Sequence, residues 1–265
     1  MRSTRQLLPE VSFLSLIFLS LLLATPSARA TQPTLADEST QMLVVTTSGW
    51  NDSRGTLQRY ERTKIRSKWK AVGKAVSVVV GRNGLGWDAK ILSTDSHLHF
   101  PSDPVKHEGD GKAPAGIFRL GTAFGYAPQP ESGLKMPYLG ITDSTQCVDD
   151  VNSKFYNRLV DHQAVSQPDW NSNEDMHRKD DLYQWGLIVE YNSDPPVPGR
   201  GSCIFMHIWK GPGIGTSGCT AMEEPNLESV LQWLDSGKIP VLVQMPEERY
   251  AKLRRRWRFP RLSHR

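Results

Sequence analysis

The sequence predicts a mainly β fold: one β-rich α+β domain with a few inserted helices. Three observations lead there. Short apolar or alternating runs, bounded by turn residues, recur along the chain. Only two stretches carry helical signals. No repeat or clear linker divides the order of elements. The 265 residues are 38% hydrophobic and 23% charged, with 21 Gly and 18 Pro. That balance excludes a collagen-like, coiled-coil or largely disordered chain. A formal charge of +4 is small for this length and gives no basis for nucleic-acid binding.

The N-terminus reads as a secretory signal over residues 1–30. Arg2 and Arg5 precede an apolar run of 14 residues, Val11 to Ala24, shorter than the roughly 20 a spanning helix needs. Ala28-Arg29-Ala30 follows as a small-x-small cleavage pattern. The alternative is an uncleaved N-terminal anchor. Removing Arg2, Arg5, Glu10 and Arg29 with this segment lowers the charge from +4 to +2.

Residues 31–40 are polar and predict a flexible leader, and 41–248 form the main domain. Met42–Thr47 reads as a buried strand and Thr56–Arg62 alternates as a half-buried one. Ala75–Val80, Gly116–Leu120, Gly186–Tyr191, Cys203–Ile208 and Val241–Val243 continue the series. Gly81–Gly86 and Pro195–Gly201 are turn-rich connections. Leu227, Val230, Leu231 and Leu234 follow helical spacing, with Asn226 as expected N-cap and Gly237 as terminal glycine. A second helix is expected over Asn152–Asp161. Residues 249–265 hold eight Lys or Arg and no acid. They read as a basic tail, either a solvated end or a contact for anionic envelope surfaces.

Export places Cys147, Cys203 and Cys219 in an oxidising compartment, where two can pair and one is left over. Cys219 lies in the glycine-rich stretch Gly213–Thr220, where Gly218 allows a sharp turn and successive N–H groups can form an oxyanion hole. Cys203 sits in an apolar strand. Cys219 is therefore expected free, with Cys147 and Cys203 either bridged or buried. A free thiol ionises near pH 8.5, so a neighbouring base is needed to activate it. His207 closes the Cys203–His207 strand, twelve residues before Cys219. A loop of that length can return a turn to the strand it left.

His207 to Met222 (HIWKGPGIGTSGCTAM) resembles the active-site signature of the L,D-transpeptidase catalytic domain, the YkuD-like family: a histidine, a loop, then Ser/Thr-His-Gly-Cys. Lys106 to Phe118 (KHEGDGKAPAGIF) is similar to the family's upstream segment. Cys147–Asp150, Tyr156-Asn157, Trp170–Met176 and Tyr191-Asn192 resemble one exported branch of it. The likeness spans about residues 41–245. It implies a β-rich fold and a cysteine acyltransferase acting on peptidoglycan stem peptides in the bacterial periplasm or envelope, with no cofactor and no metal; the alternative on the same fold is an L,D-carboxypeptidase or hydrolase, including one that cleaves protein–peptidoglycan links. Carried over, Cys219 is the nucleophile and His207 the base. The carbonyl of Ile208 orients the imidazole, and the N–H groups of Gly218 and Cys219 hold the oxyanion. Ser217 stands where the family has its second histidine, and Ala221 where Arg or Asn is common. Ser217, Thr220, Trp209, Tyr191 and Asn192 are candidate substrate contacts.

Other chemistries find fewer residues in this sequence. Ser96–Phe100, with His97 and His99, looks like a zinc endopeptidase His-Leu-His, but no histidine precedes it to supply the third ligand. Cys203-x-x-x-His207 is a weak zinc pattern. Asp110, Asp149 and Asp150 invite a glycosidase reading. However, Asp110 suits a Gly-Asp-Gly turn and the other two suit a helix start. A peptidoglycan-binding protein that kept the fold without turnover is the alternative from a different class.

Overall fold

The computed structural model describes residues 35–94, 102–130 and 132–262. The expected signal segment and the His97/His99 pair lie outside them. Thirteen strands and four α-helices are described, with far more strand than helix, as a β-rich reading requires.

The main sheet runs β10 (Trp185–Val189), β11 (Phe205–Ile208), β12 (Thr220–Met222), β3 (Lys70–Val79), β2 (Arg54–Glu61), β1 (Gln41–Thr47), β13 (Val241–Pro246), β5 (Ala113–Gly125) and β4 (Leu85–Trp87). β5 also pairs with β10, so the path closes on itself. β6 (Tyr138–Gly140) pairs with β5. β1 is buried at all seven positions and β13 at all six, which is why both are apolar runs without alternation. The core joins Val44, Val45, Leu57, Phe118, Leu187 and Leu242 to helix α3 (Glu224–Trp233).

A second, three-stranded sheet has the order β8 (Leu159–Asp161), β7 (Thr145–Val148), β9 (Asn173–Asp175). The Cys147–Cys203 disulfide ties it to the main sheet, so the bridged alternative holds and Cys219 is free and buried. The bond closes a separation of 56 residues, for which chain entropy gives about 4 kcal/mol. The Cys147→Ala/Cys203→Ala variant is expected to lose stability of that order in urea melts. Melts unchanged between the variant and the wild type would show that the bridge contributes nothing.

Four local expectations need correction. Asn152–Asp161 is not a helix but a chain of turns ending in β8. Asp150 accepts from the N–H groups of Asn152 (2.9 Å) and Asn171 (2.8 Å), and Ser153 Oγ accepts from Phe155 N–H (2.9 Å). Side chains thus take the amides a helix would use, and Asn157 turns left-handed at φ 58°.

The helix expected around Leu227, Val230, Leu231 and Leu234 is real but starts and stops earlier than expected. Glu223, not Asn226, is its N-cap, with Pro225 in the first turn. At the other end Gln41 bridges the exit, donating to Trp233 O (2.8 Å) and accepting from Asp235 N–H (2.8 Å). Gly237 falls beyond, in a 3-10 turn.

The described part of the expected leader is structured, not flexible. Helix α1 (Leu35–Glu38) buries Ala36, and Arg62 donates to the carbonyls of Ala36 (2.7 Å), Asp37 (3.0 Å) and Ser39 (2.7 Å).

The basic C-terminal stretch packs onto the domain. In helix α4 (Glu247–Leu253) Arg249, Tyr250 and Leu253 are buried, and Trp257 and Phe259 join the core after it. Arg249 grips Asp103 through two bonds (2.7 and 2.6 Å), and Asp103 also accepts from Trp87 Nε1 (3.0 Å). Removing one partner of a buried pair strands the other. Arg249→Ala is therefore expected to cost about 3 kcal/mol in chemical denaturation. A loss under about 0.5 kcal/mol, the usual size at a surface site, would contradict this.

Candidate active site

The nucleophile candidate sits at the head of a short strand. β12 begins one residue after Cys219 and runs parallel to β11, with Met206 opposite Thr220 and His207 opposite Ala221. Two neighbouring strands thus deliver the thiol and the imidazole to one cleft of about 480 Å³, lined by both residues. Gly218 is not in the left-handed conformation of the expected sharp turn, but it sits in a tight space. A Cβ there would lie 3.2 Å from Lys112 O and 3.3 Å from Ile204 Cδ1. Gly186, paired with His207 across β10–β11, is needed for space, because a Cβ would fall 2.1 Å from the Phe124 ring.

His207 is buried, and its Nδ1 lies 2.7 Å from Ile208 O. A carbonyl only accepts, so Nδ1 carries the proton and Nε2 is left as the basic nitrogen. Burial pushes the imidazole down to about 4, partly opposed by the Ile208 bond, with Arg178 lowering it further and Asp180 raising it. Burial pushes the Cys219 thiol up to about 12, and the charge of Glu174 adds to that. Phe205 N–H donates to the sulfur (3.2 Å), and the thiol donates to Cys203 O (3.4 Å). The resting pair is a neutral thiol and a neutral imidazole, so the proton must move during attack rather than before it.

The other expected site residues divide. Ser217 lines the cleft and accepts from Arg82 Nη1 (3.1 Å), so a guanidinium stands beside the position of the missing second histidine. The Gly218 N–H, expected in the oxyanion hole, donates to Thr216 Oγ1 (3.1 Å) in the resting site, and that hydroxyl donates to Cys219 O (2.6 Å).

Four candidate substrate contacts are not in the cleft lining. Thr220 is buried and donates to Gln244 Oε1 (2.7 Å). Trp209 leaves the strand beyond it, its N–H bound to Met222 O (2.8 Å). Tyr191 is in the core against Phe118, its hydroxyl donating to Arg200 O. Asn192 braces its loop, donating to Val197 O (3.0 Å) and Gly201 O (2.8 Å). Asn157 links this loop to the site, donating to Tyr191 O and Asn192 O and accepting from Cys203 N–H (2.9 Å).

The rival chemistries lose Cys203, Asp110 and Asp150, while Asp149 stays in the cleft lining. Cys203 is spent in the disulfide, so its sulfur is no zinc ligand. Asp110 accepts from the N–H groups of His107 (2.8 Å) and Lys112 (2.8 Å) and pairs with buried Lys106 (2.7 Å). Asp150 is committed to its turn.

Sequence reasoning missed several cleft residues. Lys106 and Glu108 come from the upstream resemblance, where the lysine and the Gly-Asp-Gly turn were visible but had no role. Arg82 lay in a stretch read only as turns. Glu174, Arg178, Asp180 and Tyr183 arrive from the three-stranded sheet and the turns after it. Only Glu174 fell in a segment the resemblance had singled out.

The chain matches the L,D-transpeptidase catalytic domain family over residues 50–243. It belongs to that family. The matched span runs from β2 through the first half of β13, so it includes both cleft residues, Cys219 and His207. Membership brings L,D-transpeptidase-family activity on peptidoglycan at that coarse level. No curated protein and no solved structure matches the chain.

Proposed function

We propose that this L,D-transpeptidase-family protein is a cysteine acyltransferase on peptidoglycan stem peptides, with Cys219 as nucleophile and His207 as base. One observation carries the reading: a buried free thiol shares a cleft with a buried imidazole whose Nδ1 is held by Ile208 O. His207 Nε2 takes the thiol proton as the sulfur attacks the donor carbonyl, the L-centre of meso-diaminopimelate. The tetrahedral oxyanion draws on the Cys219 N–H, and on that of Gly218 once Thr216 releases it. As the C–N bond breaks, the imidazolium returns its proton to the departing D-alanine amine. The resulting thioester passes its acyl group to an acceptor amine (transpeptidation) or to water (carboxypeptidation).

The cleft wall carries both charges, with Arg82, Lys106 and Lys210 facing Asp149, Glu174 and Asp180. That suits a stem peptide bearing carboxylates and amines. The reading includes export to the periplasm or envelope through residues 1–30. Among the described residues no helix is long and apolar enough to cross a membrane.

The test is intact-protein mass spectrometry of residues 31–265 with tetrapeptide muropeptides, with product analysis of the same mixture. An adduct of the donor minus D-alanine is expected. Cross-linked dimers or trimmed tripeptides then assign transfer or hydrolysis. Absence of both adduct and product would overturn the reading in favour of a binding protein on this fold.

A further inference from the structure

Tyr183 and Glu174 lie in the cleft, and the chemistry above uses neither. Tyr183 is 3% exposed, and its ring stands edge-on to the His207 imidazole at 5.0 Å between centroids, 74° between planes. Phe124 and Phe205 clamp the same ring edge-on at 5.8 and 5.7 Å. The Tyr183 hydroxyl donates to Glu174 Oε1, and Tyr183 shares a buried cluster and the cleft wall with Cys219. Arg178 completes the group, its guanidinium 5.0 Å over the Tyr183 ring and 3.7 Å from Glu174 Oε1. Tyr183 thus meets the base with its ring and packs in the same buried cluster as the nucleophile.

We propose that Tyr183 is a positioning residue for both partners of the acyl transfer, with Glu174 as its anchor. This rests on the Cys219–His207 reading above. The ring fixes the imidazole plane, which keeps Nδ1 on Ile208 O and aims Nε2. The hydroxyl is a donor shared between Glu174 and the sulfur. In the resting site it stays on the carboxylate, and it turns to the sulfur when the thiolate forms. The Glu174 charge opposes that ionisation, so the thiol stays protonated until a donor arrives. A protonated thiol resists oxidation in an oxidising compartment. The three-stranded sheet therefore has a function in the site: β9 supplies Glu174, and the disulfide holds that sheet against the residues leading into β11 and the base.

The proposal is tested by iodoacetamide alkylation of Cys219 at pH 8 with the disulfide intact, which needs no peptidoglycan. A wrong substrate assignment therefore leaves this readout standing, while the donor adduct tests that assignment separately. Glu174→Gln removes a negative charge near the sulfur. A charge at this range moves ionisation by about one pH unit, and the partial loss of nucleophilicity leaves alkylation about threefold faster. Glu174→Asp restores the charge and should return the rate toward wild type. Tyr183→Phe removes the donor to the thiolate and should alkylate about threefold more slowly. It should also lower kcat about tenfold with KM within about twofold, because positioning acts on the chemical step.

Loosened packing alone would expose the thiol and speed alkylation in both variants. Opposite directions in the two variants support the proposal. Equal directions, or no change in either, overturn it. Should Tyr183→Phe not fold, Glu174→Gln against Glu174→Asp decides alone: a faster rate in the first only supports the anchor, and equal rates overturn it.

Discussion

Cys219→Ala is expected to abolish both the acyl adduct and turnover while the protein stays folded. With Cys147 and Cys203 joined, Cys219 is the one free thiol in the chain, so no second sulfur can take over. Backbone and imidazole remain, but without a nucleophile no thioester forms and the reaction cannot be split into two steps. The structural cost is small. The sulfur makes two weak bonds, to Phe205 N–H and Cys203 O, and removing one buried atom leaves a small void, together about 1 kcal/mol. Intact mass after incubation with donor and a thermal melt check both halves. Product formed at the wild-type rate by Cys219→Ala would remove the thiol from the mechanism. A collapsed melt would show that the residue is chiefly structural.

The strands were legible because burial wrote them into composition. β1 and β13 are buried on both faces and read as apolar runs. β2 shows its half-buried pattern with Leu57 and Tyr60 inward. The early stretch of β3 was missed because it is exposed and polar, held by pairing to β2 rather than by apolar side chains. The turns after Asp150 were misread as a helix for a related reason. A run with Val151, Phe155 and Leu159 carries apolar residues at fair spacing, yet the Asp150 and Ser153 side chains capture the local amides. Local capture of that kind leaves no periodicity to read.

The site was legible where its chemistry is local in sequence and obscure where it is not. Cys219, His207 and the Ile208 carbonyl lie within thirteen residues on two paired strands, so spacing and resemblance found them. Tyr191 and Asn192 looked like site residues because they carry the resemblance, but their bonds hold the loop that presents Cys203. Glu174 comes from the other sheet and Tyr183 from the turn that follows it. Nothing local marks a glutamate and a tyrosine nine residues apart as neighbours of a thiol further along the chain.

His207→Ala is expected to lower turnover roughly 10²–10⁴-fold, the range for losing a positioned base. The loss should be near the top of that range, because the thiol it serves is held up at about 12 and contributes almost no thiolate at neutral pH. The same burial gives a second signature. The native imidazole is held down to about 4 from an ordinary 6.5, so below pH 6.5 the unfolded chain takes up a proton that the native site refuses. A depressed value means stability that is full above pH 6.5 and lost as pH falls to about 4, in all about 3 kcal/mol. His207→Ala should lack that component, and its melting temperature should fall less than the wild type's across this window. Because the base stays neutral down to about pH 4, the acid limb of wild-type kcat/KM should lie well below 6.5. An acid limb at 6.5, with equal pH dependence of the two melts, would mean that the imidazole titrates as if in water and that its burial does not shape the chemistry.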